Sequence, residues 1–137
     1  MNEIKFRAFI KHLGQLADVL SIDFLDSEVE IYLVDRDEIR KYRFGEDEIV
    51  LLPFTGLKDK NGREIYEGDI VRVYGGEYWY GCWELDIRGE VVFDVFSFGV
   101  KSKDRFYPFN YAFEPYDHKI KVIGNIYENP ELLEGEE

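Results

Sequence analysis

The sequence contains one cysteine and two histidines in 137 residues, and both scarcities limit its chemistry. The single thiol, Cys82, cannot form an intrachain disulfide, which fits a reducing compartment, and it has no local signature of a nucleophile. His12 and His118 lie far apart, and neither has a cysteine or histidine at ligand spacing, so we predict no metal site and no cofactor. No apolar signal core or run of about 18 apolar residues is present, which predicts a soluble, cytoplasmic protein without a membrane span.

Aromatic and acidic residues are abundant instead. Phe, Tyr and Trp make up 17% of the chain, and this load, with little alanine, favours strands over helices. The 29 acidic side chains outnumber the 17 basic ones and give a formal net charge of −12. A nucleic-acid partner normally requires a lysine and arginine footprint, so the overall charge argues against generic nucleic-acid binding unless a local basic patch overrides it.

Alternating polarity with turns every eight to twelve residues predicts a mainly β chain. Residues 105–113 are aromatic and interrupted by Pro108, which is typical of an edge strand or a loop. Asn129 before Pro130 predicts a helix of one or two turns at residues 129–133. The predicted strands are 4–10, 19–25, 29–34, 39–44, 49–52, 69–74, 90–96 and 119–126.

The segment from Pro53 to Tyr74 organises the chain and is interpreted as structural. Asp59-Lys60-Asn61-Gly62 predicts a turn, because Asn and Gly tolerate positive φ. The same residues do not fit a calcium loop, in which the glycine takes the sixth place, since Gly62 is fourth counted from Asp59. Gly68 is predicted to adopt a turn conformation, with the Asp69 carboxylate bonded to nearby backbone amides. The structural motif therefore comprises Gly56, Asp59, Asn61, Gly62, Gly68 and Asp69.

One aromatic stretch is the candidate interaction surface: Tyr78, Trp79, Tyr80 and Trp83. Such residues carry protein interfaces and also stack on nucleic-acid bases, while the simpler alternative is that alternate residues enter the core. Acidic pairs such as Glu90 with Asp94 arise by chance in so acidic a chain and do not indicate acid–base catalysis. No set of residue types with catalytic spacing can be recognised in the sequence, so we predict that the protein is not an enzyme.

Three segments resemble the YopX family of small phage and prophage proteins. They are Glu3–Ala8 (EIKFRA), Thr55–Val71 (TGLKDKNGREIYEGDIV) and Val122–Leu132 (VIGNIYENPEL). The resemblance implies a bacterial host cell, a β-rich fold with an SH3-like barrel in the second half, and oligomeric assembly. The family has no established activity, so it supplies no catalytic residues.

The sequence thus predicts an N-terminal β-rich subdomain, residues 1–54, and a C-terminal SH3-like barrel with a tail, residues 55–137. The favoured function is a phage accessory role exerted through protein contacts or self-assembly, with a homo-oligomer expected and nucleic acid disfavoured. One alternative is an acidic DNA mimic that inhibits a host protein. The other is a nucleic-acid-binding SH3-like module, for which these basic residues would have to share one face: Lys58, Lys60, Arg63, Arg72, Lys101, Lys103 and Arg105.

Overall fold

The computed structural model describes residues 5–44, 49–75, 85–94, 97–103, 105–109 and 118–134. Over these ranges the chain is mainly β, as predicted, and it forms two antiparallel sheets. In chain order the strands are β1 Phe6–Ile10, β2 Gln15–Asp23, β3 Glu28–Leu33, β4 Glu38–Arg43, β5 Ile49–Lys58, β6 Glu64–Tyr66, β7 Asp69–Gly75, β8 Leu85–Asp94, β9 Ser97–Ser102, β10 Arg105–Pro108 and β11 His118–Asn125. In the described ranges, no helix is long and apolar enough to cross a membrane.

The chain divides into two compact units, Met1–Phe54 and Thr55–Glu137. In the first unit, β1 to β4 form an antiparallel meander, and β1 also pairs with the start of β5. Apolar residues at alternate positions point to one side and are buried because the strand period is two. This core contains Ala8, Ile10, Val29, Ile31, Leu33 and Ile49.

The second unit contains a five-stranded sheet in the order β10-β9-β8-β7-β11. Strands β7 to β10 form a meander, and β11 returns to pair with β7, which is the strand order of an SH3-like barrel. Strand β10 is at the edge of this sheet, where Pro108 is tolerated because one side of the strand needs no ladder partner. The core contains Ile65, Val71, Val73, Val91, Val100, Phe109 and Val122.

Several predicted boundaries were wrong, although the strands themselves are present. Strand β2 begins at Gln15 instead of Val19. Strand β5 continues to Lys58 instead of ending at Leu52, and the division between the units falls within it. The predicted strand 90–96 corresponds to β8, which begins at Leu85 and ends at Asp94, and β9 begins at Ser97.

The predicted C-terminal helix is a 3-10 helix, Pro130–Leu133. Pro130 occupies its start, as expected, but the Asn129 side chain does not cap this helix. Its Oδ1 instead accepts a hydrogen bond from the Asn125 N–H, at 3.2 Å. Asn129 therefore ties the helix back to the end of β11.

Candidate functional site

The turn after β5 is built around the Asp59 carboxylate, which is only 7% exposed. Its Oδ1 accepts the N–H groups of Asn61 and Arg63, each at 2.9 Å. Its Oδ2 accepts the Val122 N–H in β11, also at 2.9 Å. Gly62 closes the turn with a φ of +83°, the left-handed region that favours glycine. The Asp59 carboxylate therefore joins the local turn to strand β11 through hydrogen bonds.

These bonds also determine the charge state of Asp59. Burial alone would raise its pKa, but hydrogen bonds from the N–H groups of Val122, Arg63 and Asn61 outweigh that effect and lower the pKa. Both oxygens are turned toward backbone donors, which is consistent with the rejection of a calcium loop from the spacing.

The Gly68-Asp69 step has an equivalent role at the start of β7. Gly68 has a φ of +91°, and the carboxylate of Asp69, 1% exposed, accepts the Tyr66 N–H at 2.8 Å. Gly56 also has a positive φ, +89°. In this motif the three glycines therefore adopt positive φ, and the two aspartates accept hydrogen bonds from backbone N–H groups.

The predicted aromatic surface, Tyr78, Trp79, Tyr80 and Trp83, lies outside the described residues, as does Cys82. Of the two histidines, His12 lies beside Tyr42, with its Nε2 3.5 Å from the phenol oxygen and its ring tilted against the tyrosine ring.

The turn between β2 and β3 presents two large apolar side chains to solvent. Phe24 is 72% exposed and Leu25 is 96% exposed. The sequence assigned both to a strand ending at Leu25, and that was wrong because Asp23 ends the strand. The Asp23 Oδ1 accepts the N–H groups of Leu25 and Asp26, at 3.0 and 3.2 Å, which is an Asx-turn. We call Phe24 and Leu25 the hairpin tip.

The hairpin tip is held by contacts with Phe44, and acidic side chains lie beside it. The Phe24 ring packs edge-on against Phe44 with centroids 5.9 Å apart, and the Phe44 N–H donates to the Ser27 carbonyl at 2.9 Å. Carboxylate oxygens of Asp23, Asp26 and Glu28 all lie within 4.8 Å of one another beside it. The first unit therefore displays apolar side chains with an anionic rim.

The second unit displays a surface of the opposite sign. Val71 and Val73 of β7 point into the core, so Arg72 and Tyr74 lie on the other face. Across the sheet, Arg72 is opposite Lys121 of β11 and Arg88 of β8, while Tyr74 is opposite Lys119 and Asp86. We call this surface the basic face: Lys60, Arg72, Tyr74, Asp86, Arg88, Lys119 and Lys121.

Contacts within the basic face hold the side chains of Arg72 and Tyr74 in place. Arg72 donates from Nε and from a terminal nitrogen to the two oxygens of Asp86, both at 2.9 Å. The Arg72 guanidinium carbon lies 4.5 Å from the Tyr74 ring centroid, and the Lys60 Nζ lies 5.3 Å from it. A hydrogen bond to Lys60, followed by the charges of Lys60, Lys119 and Arg72, lowers the pKa of the Tyr74 phenol.

Only some residues of the basic face were among the basic residues that the sequence analysis listed for a nucleic-acid-binding face. Lys60 and Arg72 were in the predicted set and do meet at Tyr74. Lys101 is opposite Glu90 in the neighbouring row. Lys119, Lys121 and Arg88 were missed, since only the pairing of β11 and β8 with β7 brings them together.

The described residues form a mainly β protein with two antiparallel sheets. The family model described as "YopX protein" matches residues 5–134, and the chain belongs to the YopX family. It is similar to the crystal structure of protein EF1440 from Enterococcus faecalis, at 30% sequence identity and a TM-score of 0.63, over 98% of this chain and 100% of that chain. A search of curated proteins finds no match.

Proposed function

We propose that the protein is a non-enzymatic accessory protein of phage or prophage origin that acts in the bacterial cytoplasm by binding another protein through the hairpin tip. The observation that carries the proposal is the exposure of Phe24 and Leu25 on a turn held by defined hydrogen bonds. Scattered exposed apolar residues are ordinary, but adjacent ones on a braced turn are suited to enter a partner's pocket. Rigidity matters because less conformational entropy is lost on binding.

The acidic rim indicates the chemistry of the partner. Asp23, Asp26 and Glu28 surround the apolar side chains, so a complementary surface is an apolar pocket edged by lysine or arginine. A two-fold contact between copies through the same tip would place two acidic rims against each other, which is unfavourable. The expected homo-oligomer would therefore form through another surface.

The test is co-purification from the bacterium that carries the gene, using a tagged chain and quantitative mass spectrometry. The Phe24→Ser/Leu25→Ser variant should retain at least about 30-fold less of the specific partner, because the loss of even one anchor that contributes about 2 kcal/mol weakens binding about 30-fold. The matched control is Val34→Ser/Ile39→Ser, which changes an exposed apolar residue in the turn after β3 and another near the start of β4. It should retain the partner as the wild type does.

Two results would contradict the proposal. One is equal retention of every co-purified protein by the wild type, the tip variant and the control. The other is a wild-type oligomer in light scattering that becomes a monomer only in the tip variant, since the tip would then be a contact between copies. Unchanged melting temperatures of both variants would show that the comparison concerns binding and not folding.

A further inference from the structure

We propose that the basic face of the second unit binds the phosphate backbone of single-stranded nucleic acid. This site is independent of the hairpin tip and is carried by residues of β7, β8, β11 and the turn after β5. Three cations, Lys60, Arg72 and Lys119, lie beside Tyr74, and two more, Arg88 and Lys121, lie opposite Arg72, in a chain whose formal net charge is −12. This surface is therefore basic although the chain as a whole is acidic.

The cross-strand pairing of like charges is the first observation. Arg72 is directly opposite a cation on both sides, Lys121 in β11 and Arg88 in β8. Like charges placed directly opposite destabilise a sheet. The adjacent row adds Lys119 beside Tyr74, and Asp86 is its acidic member. Asp86 offsets part of this positive charge through its bonds to Arg72, and an anionic ligand would offset more of it.

The second observation is that the central arginine is positioned before any ligand arrives. Asp86 holds two of the five guanidinium N–H donors of Arg72, and Tyr74 supports the planar group at 4.5 Å. Among the contacts described, three donors are left for an incoming oxygen. A fixed guanidinium recognises phosphate with less loss of side-chain entropy than a mobile one.

The dimensions of the site favour one strand of nucleic acid over a duplex. Adjacent strands are about 4.8 Å apart, so the row from β11 through β7 to β8 spans about 10 Å. That width suits a single phosphate track, whereas the remaining acidic surface would repel a broad duplex with its higher charge density. Tyr74 contributes by keeping the Arg72 guanidinium and the Lys60 ammonium beside its ring.

Fluorescence polarisation with labelled oligo(dT) and oligo(rU) of 20 nucleotides, at about 50 mM salt, tests this site. We expect binding whose logarithm falls with the logarithm of salt concentration with a slope of about −3, as four phosphate contacts on a single strand would give. Lys119→Glu/Lys121→Glu, at two exposed positions of β11, should weaken binding at least tenfold. The two oligonucleotides show whether DNA or RNA is preferred.

The matched control is Arg36→Glu/Lys41→Glu, which changes the net charge equally at exposed positions of the first unit. It should weaken binding less than threefold. The proposal is overturned if wild-type protein retains neither oligonucleotide at low salt, or if both double variants lose binding equally. Competition by poly-glutamate at the same charge concentration as oligo(dT) would also overturn it, since the face would then select acidic peptides.

Discussion

Replacing Asp59 by alanine is expected to lower the free energy of unfolding by about 4 kcal/mol. The side chain accepts three backbone N–H groups, those of Asn61, Arg63 and Val122, and each bond to a charged acceptor contributes about 1.5 kcal/mol or more. Alanine would leave these donors without the acceptor and would detach the turn from β11. Urea denaturation followed by tyrosine and tryptophan fluorescence measures the change.

The Asp59→Asn variant is the control, since it should lose an intermediate amount of stability. Its amide oxygen can still accept the N–H groups of Asn61 and Arg63, but its NH₂ group would face the Val122 N–H, two donors opposed. We expect a loss of about 2 kcal/mol, between the wild type and alanine. A loss below about 1 kcal/mol in the alanine variant would contradict the structural role.

The pH dependence of the Asp59→Ala effect identifies the carboxylate as its cause. Because the folded-state pKa lies below the unfolded value of about 3.9, the stabilisation is fully present above that value. It is lost as the pH falls through the lower folded-state pKa. The difference in stability between wild type and variant should therefore be constant from about pH 7 to pH 5 and shrink below about pH 4. A difference that stays constant to about pH 2 would mean that the charge is not involved.

Replacing Gly89 by alanine is expected to cost about 3 kcal/mol, by overpacking. A Cβ at Gly89 would lie 2.5 Å from the Lys101 carbonyl oxygen and 2.6 Å from Val100 Cγ1. The nearest atom belongs to the backbone of the paired strand β9, which can move only by disturbing the β8–β9 ladder. Thermal or urea unfolding of the purified variant measures the loss.

The control for Gly89 is Gly62→Ala. A Cβ at Gly62 meets nothing within 4 Å, although its φ of +83° is costly for alanine by about 1 kcal/mol. The difference between the two variants isolates the collision from the general cost of replacing glycine. If Gly89→Ala is no more destabilising than Gly62→Ala, the close approach of β9 to Gly89 is contradicted.

Local sequence patterns predict most of the strands, but not where they end. The alternation in β3 and β11 follows from one buried face, and it is visible without any partner strand. The end of β2 was missed because the Asp23 side chain satisfies two turn amides, and the same residue types also occur within strands. The extension of β5 was missed because it runs through Pro53 and Gly56, residue types that ordinarily interrupt a strand, before β5 pairs with β6.

The candidate surfaces were less predictable than the fold for the same reason. Asp59 and Gly62 could be recognised from turn chemistry, but the bond from Val122 to Asp59 joins residues far apart in sequence. The basic face depends on strand register, and a one-residue shift in β11 would move Lys119 and Lys121 to the opposite side. Alternation within β11 indicates that Lys119 and Lys121 share its polar face, but the sequence alone does not show that β7 is the neighbouring strand.

Site-specific photo-crosslinking at the hairpin tip tests the central claim, that Phe24 and Leu25 form a protein-binding surface, most directly. A photoreactive phenylalanine derivative would replace Leu25 in one strain and Val34, similarly exposed at another turn, in a second. The account predicts a discrete adduct with one other protein from the Leu25 position and none from Val34. An adduct of twice the 16.3 kDa chain mass, equal adducts from both positions, or no adduct from Leu25 would contradict it.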